Sequence, residues 1–362
     1  MQLLGRYKIV LATILIFEVT GVVTTQPMPL RMPSGKLSLF EESSIAFQER
    51  FIVRVPQDFP NIQAAVDAVA EGGTVLIGPG LYKENVQIKK SLRLVGLDQK
   101  HVNIQAADER QPIIFVSSKS PIQVYFEGLT LGDPTITIEQ LLLTPRIQPV
   151  LQPFLPPRTG LYIDGPVQTL IRNITVLGQQ EVGIWAHFFA YSDGDIHLST
   201  FQPLIILEGV HLTRNGAGLG LTGAQGLIIR SLIEDNLGGV LGEGAFLYQN
   251  IIRSNRYSGI VFLDLLAGEI DENEFIENKI GIYLTAKSEG RWIEINWNKF
   301  MKNQYGVVVQ HPACPYFTGN ALPEPLKASL PIRISGAMNE FYGSIKADLC
   351  PLDYPWPPGF RK

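Results

Sequence analysis

The 362 residues carry 30 lysines and arginines against 34 aspartates and glutamates, a formal net charge of -4, with 34 glycines and 25 prolines. A chain of this length could bury two ordinary cores, but so many turn residues, with only 9% aromatic, favour one long domain broken by many turns. The charged fraction of 18% and the acidic balance exclude the basic footprint that a nucleic-acid binder needs.

In chain order, residues 1–25 come first. Arg6 and Lys8 precede the apolar run from Ile9 to Phe17, which has the charged n-region and short h-region of a secretory signal. Glu18 stops the run before the roughly 20 residues that a membrane span needs. The segment reads as a signal peptide, with an uncleaved signal anchor as the alternative, so export to the periplasm, cell surface or medium is expected. A membrane would be met only through this segment. Residues 26–54, with Pro27, Pro29 and Pro33, read as a linker.

Residues 61–70 place Ile62, Val66 and Val69 at i, i+4 and i+7 after Pro60 and stop at Gly72-Gly73, which predicts a short amphipathic helix. Its place is as a lid on a stack of parallel coils, whose open end would expose unpaired backbone. Thr74 to Ile77, Asn85 to Ile88 and Ser91 to Val95 then read as short strands separated by Gly78-Pro79-Gly80 and Lys89-Lys90. This stretch, with Gly80-Leu81-Tyr82-Lys83-Glu84 matching a GxYxE element, resembles the N-terminal cap and first turns of pectinesterases and of NosD-type accessory proteins of nitrous oxide reductase. The resemblance implies the right-handed β-helix (pectin lyase-like) superfamily.

A repeat emerges further on. Gly218, Gly239, Gly259, Gly281 and Gly306 each precede an apolar run. Upstream of them stand Asn215, Asn236, Asn255, Asn278 and Asn303, and three residues before those come Leu212, Ile233, Ile252, Phe275 and Phe300. Asn and Gly tolerate left-handed backbone, which suits corners between sheets, and stacked Asn amides can hydrogen-bond from coil to coil. The spacing matches neither leucine-rich repeats nor propeller blades. The expected fold is all-β, a single-stranded right-handed parallel β-helix over residues 55–311 with an N-terminal capping helix. A Pro-rich insertion interrupts it at 133–158, and a Pro-rich tail at 312–362 packs on it.

Period-two alternation after each glycine gives two inward columns: Ile184, Leu219, Val240, Ile260, Ile282, Val307; and Ala186, Leu221, Gly242, Phe262, Leu284, Val309. The outward residues are Trp185, Gly220, Leu241, Val261, Tyr283 and Val308, then His187, Thr222, Glu243, Leu263, Thr285 and Gln310. So apolar a face needs a cover, from the insertion or the tail, or a ligand. As a carbohydrate groove it offers Trp185 and Tyr283 to stack sugar rings and His187, Glu243 and Gln310 to bond hydroxyls.

The enzymes of the resemblance use motifs absent here: the QDTL, DFIFG and LGRPW elements of pectinesterases, and the NTD, DD, GHG and RIK elements of polygalacturonases. Pectate lyases need calcium-binding aspartates and an arginine base, and no arginine stands on the face columns. Candidate catalytic groups are then His187, with Asp193 or Asp195 to orient it, and Glu243 with Asp264 as carboxylates on adjacent coils. The NosD resemblance implies a role in copper maturation, but the five His, five Met and two Cys are scattered. No cofactor or metal is expected. Cys314 and Cys350 read as a disulfide, as export permits. The reading is an exported, non-catalytic β-helix that presents a surface to a polysaccharide or cell-envelope component. The alternatives are a polysaccharide lyase, hydrolase or esterase and a purely structural spacer.

Overall fold

The computed structural model describes residues 52–143, 158–187, 204–316 and 328–362. Residues 1–51, 144–157, 188–203 and 317–327 lie outside the described residues, and with them the signal segment, most of the linker, the proline run of the insertion, Asp193 and Asp195.

After an opening strand, β1 (Ile52–Val55), and a helix, α1 (Ile62–Ala68), the chain winds through three parallel sheets, giving one strand to each in every coil. The first sheet has 11 strands and begins with β1; the second and third have 10 each and begin with Gly80–Lys83 and Val86–Ile88. Every strand pairs only with strands one coil away, so a single apolar core runs the length of the stack. The two inward columns of the third sheet are the observed register, with Ile184 beside Leu219 and Ala186 beside Leu221 through to Val307 and Val309. On the second sheet Phe275, Phe300 and Phe341 stack at 4.8 and 4.7 Å. Burying each such ring contributes about 2–3 kcal/mol.

The corners are built differently from the expectation. Between the second and third sheets, Arg214, Asp235, Ser254, Glu277 and Lys302 take the left-handed conformation, and the asparagine follows directly. From Asn236 onward, each asparagine Oδ1 accepts from the backbone N–H and the Nδ2 of the asparagine one coil earlier, so that Asn215, Asn236, Asn255, Asn278 and Asn303 form one buried amide ladder. The glycines that open the third-sheet strands have no positive φ. A Cβ on Gly239 would lie 2.2 Å from the carbonyl oxygen of Gly259, and one on Gly281 would lie 2.6 Å from that of Gly306. They are glycines because the next coil's backbone leaves no room.

A second ladder, Asn250, Asn273, Asn298 and Asn339, fills the corner between the first and second sheets, with Ser231 at its head. Here Arg230, Gln249, Glu272, Trp297 and Met338 carry the positive φ.

Both ends are closed. At the N-terminal end, α1 buries Ile62, Ala65 and Val66. Asn61 Oδ1 accepts from Ala64 N–H at 2.8 Å, while the Glu84 carboxylate accepts from Ile62 and Gln63 N–H at 2.9 and 3.0 Å. Gly80–Lys83, which begins at the last residue of the Gly78-Pro79-Gly80 separator read from the sequence, is itself a strand, and Tyr82 within it is buried and donates to Gly78 O at 2.9 Å. A short helix, α2 (Ile138–Leu143), occupies the start of the insertion, opened by Thr137 and Gln140 bonding each other's backbone N–H.

The C-terminal boundary also moves. Arg333–Ser335, Glu340–Tyr342 and Ala347–Cys350 add one strand to each sheet, so the stack runs to Cys350 rather than ending at 311. The sequence hid this coil because residues 312–332, rich in proline, intervene. Beyond Cys350, Tyr354, Trp356 and Phe360 pack on one another, and Phe360 O accepts from the N–H and Nδ2 of Asn339, terminating the second ladder.

Candidate glycan-binding face

The outer face of the third sheet carries one column in register from Gln87 through Phe115, Tyr162, Trp185, Gly220, Leu241, Val261, Tyr283 and Val308 to Cys350. Its two halves differ.

Towards the C-terminal end the column is closed. Val261, Tyr283 and Val308 are buried and pack with Ile280, Cys314 and Tyr316. Cys314 and Cys350 are joined by a disulfide with Cα atoms 5.9 Å apart, which ties the segment after Gln310 to the last strand. The Tyr316 ring meets Tyr283 edge-on at 6.0 Å. Tyr283 is fully buried and donates its hydroxyl to Gln310 Oε1 at 3.2 Å. Burial, with Tyr316 adding to it, pushes the Tyr283 hydroxyl pKa up. This corrects the reading of Tyr283 as a sugar-stacking ring: no face of it is open, and Gln310 is spent on it. The tail is thus a cover for this half.

Towards the N-terminal end the same column holds an aromatic cluster. Phe115 and Tyr162 stack at 5.4 Å, and Tyr162 and His187 lie near parallel, 27° apart, at 6.1 Å. Trp185 stands at 84° to Tyr162 and 88° to His187. Tyr162 is buried between its neighbours, and burial, then the Asp164 carboxylate, raises its pKa.

The indole leans toward the next coil along its pyrrole edge. A Cβ on Gly220, one coil on, would touch Trp185 Cδ1 and Cγ at 3.3 and 3.4 Å, so the missing side chain is the space in which the ring rests. Its Nε1–H donates to Thr222 Oγ1 at 3.3 Å. Trp185 remains half-buried rather than covered.

The polar candidates separate. His187 Nδ1 lies 3.4 Å from Asp164 Oδ1, its register neighbour one coil earlier. That partner was missed because the sequence columns began at Ile184, one coil too late to include the Thr159–Asp164 strand. Glu243 and Asp264 are not presented as a pair. Strand register sets Gly242 beside Phe262, so the residue level with Glu243 is Leu263, while Asp264 stands beyond the strand at φ 56° and accepts from Lys287 N–H at 2.8 Å. Its carboxylate is a corner brace.

Glu181, at the start of the Trp185 strand, is a further carboxyl in this neighbourhood. Burial raises its pKa, and Arg158 opposes the shift. Arg158 also donates to Gln180 Oε1 at 2.7 Å. Among the described residues no group of three or more His, Cys, Asp or Glu side chains is placed to hold a metal ion. No helix among them is long and apolar enough to cross a membrane.

A family model described as "Right handed beta helix region" matches residues 159–322. No curated protein matches the sequence. Among solved structures, a pectin methylesterase in complex with a hexasaccharide is 12% identical, with 82% of this chain and 90% of that one covered at a TM-score of 0.45. YbhC of Escherichia coli is 14% identical, with 90% of each chain covered and a TM-score of 0.45. The rice weevil pectin methyl esterase is 15% identical over 80% of this chain and 88% of that one, at a TM-score of 0.43. None of their activities is carried over at these identities. The coil register continues on both sides of the matched segment, and the chain folds as a right-handed parallel β-helix.

Proposed function

We propose that this protein is exported and presents, on the outer face of its third sheet, a non-catalytic platform for a polysaccharide or other cell-envelope glycan. The observation that carries the reading is the half-buried Trp185 indole, seated against Gly220 and Thr222 of the next coil and flanked by Tyr162 and His187. Aromatic faces pack against the C–H face of pyranose rings, and hydroxyls find partners in the polar rim of Thr222, His187, Asp164 and Glu243. Export is supported by the apolar run after Arg6 and Lys8 and by the disulfide, which an oxidising compartment permits. A non-catalytic role is supported by the commitment of Asp264 to a backbone N–H and by the apolar neighbour of Glu243.

The test is a glycan array followed by calorimetry on the wild type and on Trp185→Ala. Binding that falls at least about tenfold in the variant, with its Tm within a few degrees of wild type, is the expected result. Silence on the array would leave the protein a structural spacer. Cleavage of a bound polysaccharide that Glu243→Gln abolishes would make it an enzyme and overturn the proposal.

A further inference from the structure

We infer that the glycan taken at Trp185 is uncharged; this rests on the glycan-binding reading above and deepens it. None of the outward residues of the face, from Phe115 to Val308 in one column and from Ser117 to Gln310 in the other, is a lysine or arginine. Polyuronates bring one carboxylate per sugar, and proteins that hold carboxylates firmly do so with guanidinium forks. The described arginine close to the cluster, Arg158, donates to Gln180 and already acts on Glu181. A uronate on the indole would have Asp164 beside it and Glu243 further along, with no arginine among the described residues of the face to receive it.

A cationic amino sugar is disfavoured for the complementary reason. The carboxylates on the strands of the cluster have partners, His187 within hydrogen-bonding reach of Asp164 and Arg158 acting on Glu181. The acid without such a neighbour in hand, Glu243, stands level with the coil beyond Gly220. Both carboxylates are thus already engaged, while the groups offered are an aromatic ring, a hydroxyl and carboxylate oxygens, which is the chemistry of hydroxyl recognition.

The experiment titrates the full protein with neutral hexasaccharides (cello-, xylo- and manno-), with oligogalacturonate and with chitosan oligomers, at low salt and at about 0.5 M salt. The expected result is binding of a neutral chain that changes less than about twofold with salt, is lost in Trp185→Ala, and exceeds both charged ligands by about tenfold or more at low salt. Leu241→Arg, which places a guanidinium one coil beyond Gly220, is expected to raise oligogalacturonate affinity at least about fivefold without weakening the neutral chain. Oligogalacturonate or chitosan binding through Trp185 as tightly as any neutral chain would overturn the inference and leave the glycan reading standing. Absence of binding by all of them would remove both.

Discussion

Trp185 and Tyr283 occupy the same outward column of the same sheet, four coils apart, and meet opposite fates. Both are aromatics flanked by a partly apolar ladder. The difference comes from elsewhere: residues 312–316 return over Tyr283 and are fixed there by Cys314, whereas Trp185 owes its position to an absent side chain at Gly220. One ring has become core and the other is held as surface. A solenoid's strand pattern therefore decides which residues point outward. What becomes of them depends on the segments that leave and rejoin the stack.

The sharpest test of that contrast is truncation at each site. Tyr283→Ala removes a buried ring and should cost about 3–5 kcal/mol in denaturant unfolding, with no effect on glycan affinity. Trp185→Ala should show the reverse profile, losing affinity at a stability cost below about 1.5 kcal/mol. Equal stability costs at both sites would mean that the two halves are not different in kind.

Opening the closed half comes next in size. Cys314→Ser with Cys350→Ser releases a link across 36 residues of chain, for which about 2–4 kcal/mol is expected. The variant should also bind an apolar-surface dye as Val261, Tyr283 and Val308 are uncovered. Loss of stability without dye binding would show that the cover stays in place unaided.

The smallest effect is expected at Gly220. Gly220→Val would push the indole away from the next coil at a cost of about 1–2 kcal/mol. Glycan affinity should still drop severalfold, since the platform would tilt. Unchanged affinity would disconnect the seat of the ring at Gly220 from binding.

The inward columns and the Asn215 to Asn303 ladder were legible because the strands beside them alternate strictly and the coils between are nearly equal in length. The ladder from Asn250 to Asn339 was not: its steps are 23, 25 and 41 residues, the last stretched by the excursion before Arg333, and its head is a serine. The corner glycines were found for the wrong reason. Their spacing was visible, but coil-to-coil contact excludes a Cβ there, and the left-handed angles fall on residues as varied as Arg214, Glu277 and Lys302. At the site, Trp185 and His187 were found by alternation, while Asp164 needed register from an earlier coil. Burial of Tyr283 needed Tyr316, 33 positions further on, a contact that no local pattern announces.

Glu84 ends the GxYxE element, the most recognisable stretch of the whole sequence, and its carboxylate holds the first turn of α1. Tyr82 and Gly80 serve the same junction, the ring against the backbone of the turn and the glycine leaving room for it. The element is punctuation, marking where a coil stack starts. In a newly met chain it therefore announces an architecture and is silent on chemistry, and an annotation of activity drawn from it alone would be reading a doorframe as a room.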